Sequence, residues 1–291
     1  MQTKKFDSIS IIILASLVLT DIFIWYTIVF SSPRRETEMY FLDVGQGDAE
    51  LAIFPHNVKV LTDAGPDQKI LRALEGVLNE TDRYIDIAII THPQLDHYNG
   101  FNYLIDRYTI GAFIFNGRSA PPDSKEWSTL LEKIRTKNIP LITIRSGDKI
   151  KYGDINIDFL SPDPLYIQSE ELNDTSIVEL IKTPQFKILL TGDIGMNIER
   201  FLVENRESLR ANVLKIPHHG SKYSSSDEFL RAITPNVAII EVGNRNRYGH
   251  PTKEALLRIA SSTHAQIFRT DYDGTVKVLE ENNKLKVFTH L

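Results

Sequence analysis

The chain has 291 residues, 42% hydrophobic and 24% charged, which excludes wholesale disorder and leaves ample material for a buried core. It contains no cysteine, so disulfide scaffolds, thiolate zinc sites, iron–sulfur clusters and a cysteine nucleophile are all excluded. Lys and Arg total 33 against 38 Asp and Glu, and the resulting −5 argues against a broad basic surface that coats nucleic acid.

In chain order, the first predicted element is an apolar run from Ile9 to Phe30 whose only charge is Asp21. At about 1.5 Å per residue, a helix of this length crosses a hydrocarbon core of about 30 Å. Every face is apolar, unlike an amphipathic core helix. The run ends in bulky Trp25, Tyr26 and Phe30 without the small-residue cut site of a secretory leader. The expectation is an uncleaved, single-pass anchor: residues 1–35 form the anchor and linker, with a span of about 9–30, and residues 36–291 form one globular domain. Lys4 and Lys5 before the span balance Arg34 and Arg35 after it, so flanking charge does not orient the helix.

Strand-like apolar runs come next, at Met39–Val44, Val58–Thr62, Ile85–Thr91, Phe113–Phe115, Ile155–Leu160, Ile177–Ile181, Lys187–Thr191, Asn212–Ile216 and Val237–Val242. Between them, Ile70, Leu71, Leu74, Val77 and Leu78 form one helical stripe, and Trp127, Leu130, Leu131 and Ile134 another. Leu256, Leu257 and Ile259 predict a further helix behind Pro251, while Arg118–Ser124, with Pro121 and Pro122, reads as a loop. Alternating strands and helices without a linker predict an α/β domain.

The residues at the ends of these strands are chemically informative. Val58–Thr62 runs into Asp63, Ile85–Thr91 into His92-Pro-Gln94-Leu-Asp96-His97, and Lys187–Thr191 into Gly192-Asp193. Asn212–Ile216 runs into Pro217-His218-His219-Gly220-Ser221, and Val237–Val242 into a loop that reaches His250-Pro251. Loops at the carboxyl ends of strands in such folds converge on a ligand. Imidazoles and carboxylates converging without thiols predict a hydrolytic metal centre of Zn, Mn or Fe, in which metal-activated hydroxide attacks a substrate such as a phosphodiester.

The His92-x-x-x-Asp96-His97 segment, with an upstream Asp-x-Gly and a downstream Thr-Gly-Asp, resembles the metallo-β-lactamase superfamily. Phe41-Leu-Asp-Val-Gly-Gln-Gly-Asp48-Ala49, Thr191-Gly-Asp193-Ile194, Pro217-His-His-Gly-Ser221 and Tyr248-Gly-His-Pro251 together resemble the C-terminal domain of ComEC-type competence proteins. The resemblance spans about residues 38–275. It implies a four-layer αβ/βα sandwich behind one N-terminal transmembrane helix, a dinuclear centre, and hydrolysis of DNA or another phosphodiester. It further implies a part in DNA uptake beside a separate channel protein, with residues 36–291 outside the cytoplasmic membrane.

Carried over by position, His92 and Gln94 would serve the first metal, Asp96, His97 and His250 the second, and Asp193 would bridge them, with His218 as the remaining imidazole. Gln94 stands where the superfamily has histidine, so the first Mn or Zn site is expected to be weak. Asp63 would orient the metal loop, and Asn173 or Ser176 would face the centre from the strand where a third histidine is usual. Asp96, Asp193 and His219 are the candidate catalytic residues, His219 as a proton donor or a supporting group. Ser221, Lys222, Arg247 and Tyr248 are the candidate substrate contacts, while Asp43 and Asp48 are expected to shape the adjoining hairpin. Two other readings stand beside a DNase: a hydrolase of another phosphodiester or ester, and a tethered binding module with weakened catalysis.

Overall fold

The computed structural model describes residues 8–30, 36–206, 208–281 and 284–289. Its first element is α1 (Ser8–Phe30); the segment Ser8–Thr27 has mean hydropathy 2.2 and no buried surface. By length and composition it can cross a membrane. The basic residues that flank it, Lys4, Lys5, Arg34 and Arg35, lie outside the described residues.

The next elements are β1 (Glu38–Phe41), β2 (Glu50–Phe54), β3 (Val58–Thr62), α2 (Lys69–Val77), β4 (Tyr84–Ile90), α3 (Leu95–Tyr98), α4 (Phe101–Leu104), β5 (Thr109–Phe115), α5 (Lys125–Thr136) and β6 (Leu141–Thr143). The chain then forms β7 (Lys149–Tyr152), β8 (Ile155–Ser161), β9 (Val178–Lys182), β10 (Lys187–Leu190), α6 (Met196–Asn205), β11 (Val213–Lys215), α7 (Asp227–Ile233), β12 (Val237–Ile240), α8 (Lys253–Ser262), β13 (Gln266–Arg269) and α9 (Thr270–Asp273). It returns through β14 (Val276–Glu281) and β15 (Lys284–Phe288) to the first sheet.

Two sheets result, ordered β15-β14-β1-β2-β3-β4-β5-β6 and β13-β12-β11-β10-β9-β8-β7. Each changes from antiparallel to parallel pairing near its middle, at β3–β4 in the first and β10–β11 in the second. Met39, Phe41, Ile157, Phe159 and Ile188 belong to the apolar layer where the two sheets meet. On the far face of the first sheet, α2, α4 and α5 contribute Leu74, Phe101 and Leu130; on that of the second, α6, α7 and α8 contribute Leu202, Phe229 and Ile259. The order helix, sheet, sheet, helix matches the sandwich expected from sequence.

Local chemistry sets the element bounds. Ser124, Ser226 and Thr252 cap α5, α7 and α8, each side-chain oxygen accepting from a backbone N–H three residues on. β1 stops at Phe41, short of the expected Val44, because Asp43 turns the chain by accepting from Gly45 N. β2 is buried at every position, so its sequence lacks the alternation that betrays a half-exposed strand. In α8 the buried residues are Ala255 and Ile259, and Leu257 points outward at 59% exposure, which shifts the apolar face from the expected stripe.

Candidate metal centre

The parallel halves of both sheets end at one place. From the first, β3 delivers Asp63, β4 delivers Thr91 and His92, and α3 carries Asp96 and His97 in a single turn. From the second, β10 leads to Asp193, β11 to His218 and His219, and β12 to Glu241. His218 and His219 adopt left-handed conformations, φ 50° and 52°, which fold the chain sharply after Pro217. Asp63, fully buried, accepts from Thr91 N at 2.9 Å and Thr91 Oγ1 at 2.6 Å and meets His97 Nδ1 at 2.7 Å.

Three imidazoles share one pattern. His92 Nδ1 lies 3.0 Å from Thr91 Oγ1, His97 Nδ1 2.7 Å from Asp63, and His219 Nδ1 2.9 Å from the Glu241 carbonyl. Each Nε2 is buried without a hydrogen bond, those of His97 and His219 lying in ion-pair range of Asp193 Oδ2 at 3.4 Å, and Asp193 Oδ1 also makes no hydrogen bond. A buried polar atom without a hydrogen bond costs on the order of 1–3 kcal/mol, and a ligand that takes these atoms would recover that cost. Potential ligand atoms of His92, His97 and Asp193 all lie within 4.8 Å of one another, as do those of Asp96, His97 and His219, and of Asp48, Asp193 and His219. Imidazole nitrogens held from behind by carboxylate, hydroxyl or carbonyl oxygens fit a divalent cation.

The electrostatics agree with a cation site. Burial opposes ionisation of Asp193, but His219 and His97 outweigh it and hold the carboxyl well below its usual range. Burial equally opposes charge on His97 and His219, yet Asp193, with Asp63 for one and Asp48 for the other, raises both well above the ordinary imidazole. His92 is depressed to about 3 by burial and by His97. Asp48 ionises more readily than usual despite complete burial, because Lys215, His219 and His97 surround it.

The other sequence candidates occupy the rim or the walls. His218 is 30% exposed, with Nε2 4.0 Å from Asp193 Oδ2, and its ring centroid is 5.6 Å from that of His250, which stacks on Tyr248. His219 is the imidazole packed between Asp96 and Asp193, at 3.7 and 3.4 Å, while His218, expected from the sequence as the remaining metal ligand, stands at the pocket edge. Gln94 Nε2 donates to Asn173 Oδ1, and the Asn173 amide lies 3.4 Å from the His218 ring. Ser176 Oγ accepts from Asp193 N at 3.2 Å, a wall contact. Ser221 is buried, and its hydroxyl accepts from Tyr223 N. Lys222 and Arg247 lie over the exposed rings of Tyr223 and Tyr248 at 5.0 and 5.2 Å.

Sequence reasoning gave Thr91, Lys215 and Glu241 no role and made Asp48 a hairpin residue. In the structure Asp48 is fully buried, 3.2 Å from His219 Nδ1 and paired with Lys215. A lysine inside the apolar run Asn212–Ile216, three residues before His218, was the available signal.

Residues 51–243 match the family described as Metallo-beta-lactamase superfamily. The chain is 26% identical over 275 residues to ComE operon protein 3 of Bacillus subtilis (strain 168), covering 87% of this chain and 34% of that protein. It is 27% identical over 247 residues to Competence protein ComA of Neisseria gonorrhoeae, covering 84% and 32%. It therefore spans about a third of the length of these curated relatives. The metallo-beta-lactamase fold protein YhfI of Bacillus subtilis superposes with a TM-score of 0.55 at 11% identity, over 84% of this chain and 100% of that one, a likeness of fold.

Proposed function

The chain belongs to the metallo-beta-lactamase superfamily and is homologous to ComEC-type competence proteins, and from that premise we propose that it is a membrane-anchored, metal-dependent phosphodiesterase that cuts single-stranded DNA. The observation that carries this reading is the convergence, from loops of both sheets, of Asp96 and Asp193 with three buried Nε2 atoms that make no hydrogen bond. His92, His97, His219, Asp96 and Asp193 would hold divalent cations, Mn or Zn, with His218 and His250 at the outer edge. The bound ions would supply Lewis acidity and make water nucleophilic near neutral pH.

The chain's own residues do the rest. Asp63 and Thr91 fix the orientation of His97 and His92. Lys222 and Arg247 stand at the rim, where a guanidinium or ammonium can grip a phosphate, and exposed Tyr248 offers a ring to a sugar or base. His219, enclosed between Asp96 and Asp193, serves as a ligand rather than as a proton donor. Residues 1–35 anchor the domain formed by 36–291, which works outside the cytoplasmic membrane in DNA uptake beside a separate channel protein.

The test is turnover by the full chain in detergent, with Mn, Zn or Mg, of a fluorescent single-stranded oligonucleotide, a bis-aryl phosphodiester and a β-lactam. Cleavage of the oligonucleotide that a chelator abolishes, and that D193A lowers at least about 100-fold, is the expected result. Cleavage of the diester alone would indicate another phosphodiester substrate. No turnover of any substrate would favour a tethered binding module.

A further inference from the structure

Lys215 is a fully buried cation at the end of β11, and its position is unusual for a strand lysine. Its Nζ donates to the Gly192 carbonyl at 2.9 Å and to Asp48 Oδ2, and stands 3.6 Å from Asp193 Oδ1. A buried ammonium costs several kcal/mol of desolvation and is weak as a stabilising device even when paired. The partners of this one are therefore more telling than its burial.

Lys215 reaches two parts of the centre, the Gly192 turn and the Asp48 carboxylate. Gly192 holds a left-handed turn, φ 51°, with Ser176 packed where a Cβ would stand; that turn presents Asp193. The Gly192 carbonyl also accepts from His218 N at 3.3 Å, so Lys215 Nζ and the histidine loop hold the turn together. The oxygens of Asp193 are divided between neighbours. Oδ1 faces Lys215, while Oδ2 faces His97 Nε2 and His219 Nε2, both at 3.4 Å. Asp48 is divided in the same way, with Oδ2 on Lys215 and Oδ1 3.2 Å from His219 Nδ1. Asp48 comes from the loop between β1 and β2, and Lys215 and Asp193 come from the second sheet. The amine thus joins the two sheets at the floor of the pocket.

We propose that Lys215 is a positioning residue of the metal centre: by tying the Gly192 turn to Asp48, it sets Asp193 Oδ2 and the His219 ring in the arrangement that takes a divalent cation. The inference rests on the metal-centre reading of the proposed function. The full chain in detergent, stripped with a chelator, is titrated with Mn by calorimetry, and its Tm is measured with and without Mn. The variants are K215R, K215M and the double variant D48N/K215M, in which the amide keeps an oxygen for His219. K215M is expected to bind Mn at least tenfold more weakly and to lose most of the Mn-dependent rise in Tm, with K215R recovering part of both. If K215M does not fold, because it strands the Asp48 charge, the double variant carries the test with the same expected tenfold loss. A folded K215M or double variant with wild-type Mn affinity, its Tm lowered equally with and without Mn, overturns the proposal and leaves Lys215 a structural lysine. If the wild-type chain binds neither Mn nor Zn, the metal-centre reading itself fails, and this inference with it.

Discussion

Asp63 illustrates how single side chains do several tasks at once. One carboxylate takes the Thr91 amide and hydroxyl and the His97 ring, so that it fixes the loop after β4 and one imidazole together. Removing its charge should loosen His97 more than the fold. D63N is expected to weaken Mn affinity about 10- to 100-fold, checked by competition with a chromogenic chelator. His97 and His219 retain protons well above the usual imidazole range, and a cation must displace them. Mn affinity should therefore rise with pH as protons are released. Calorimetry in buffers of different ionisation enthalpy counts those protons, and a pH-independent affinity would contradict the assignment of both rings as ligands.

At the scale of elements, the sheets are joined by more than apolar contact. Thr62 on β3 donates to Glu179 on β9 at 3.0 Å across the interior, and burial pushes the Glu179 carboxyl up to about 8. The unfolded chain releases this proton near the ordinary value of 4.5, while the folded chain keeps it until about 8. Between those values the folded state binds the extra proton, so the Glu179 contribution is fully present below pH 4.5 and is lost as pH rises to 8. E179Q should flatten that decline by up to about 1.4 kcal/mol per pH unit, read from urea unfolding between pH 5 and 9. The loop between β1 and β2 is equally constrained. Gly47 has φ 142°, and a Cβ there would press into the Asp96 carbonyl. G47A is expected to lower Tm and to displace Asp96, weakening Mn binding as well.

For the whole molecule, the division is between α1 and the sandwich. The Ser8–Thr27 window, with mean hydropathy 2.2, should hold the chain in the membrane fraction through alkaline carbonate washing. Deletion of residues 1–35 should release a protein that still binds Mn, and release without metal binding would contradict the proposed boundary. Protease added to intact cells is expected to cut the sandwich, as the proposed extracytoplasmic placement requires, and full protection would overturn that placement.

The amino-acid sequence by itself determined the apolar span, strands β1, β3–β5 and β8–β12, helices α2, α5 and α8, and the loops that carry His92, Asp96, His97, Asp193 and the histidine pair. Those features are local: periodicity, turn residues and motif spacing are properties of short segments. Only the tertiary structure decided that His219 rather than His218 lies between Asp96 and Asp193. Two adjacent residues in a left-handed turn direct their rings apart, and the surrounding walls determine which one is enclosed. It also decided that Asp48 and Lys215, 167 positions apart, meet beneath the centre. No pattern in either segment encodes that pairing, because it arises from the packing of one sheet on the other.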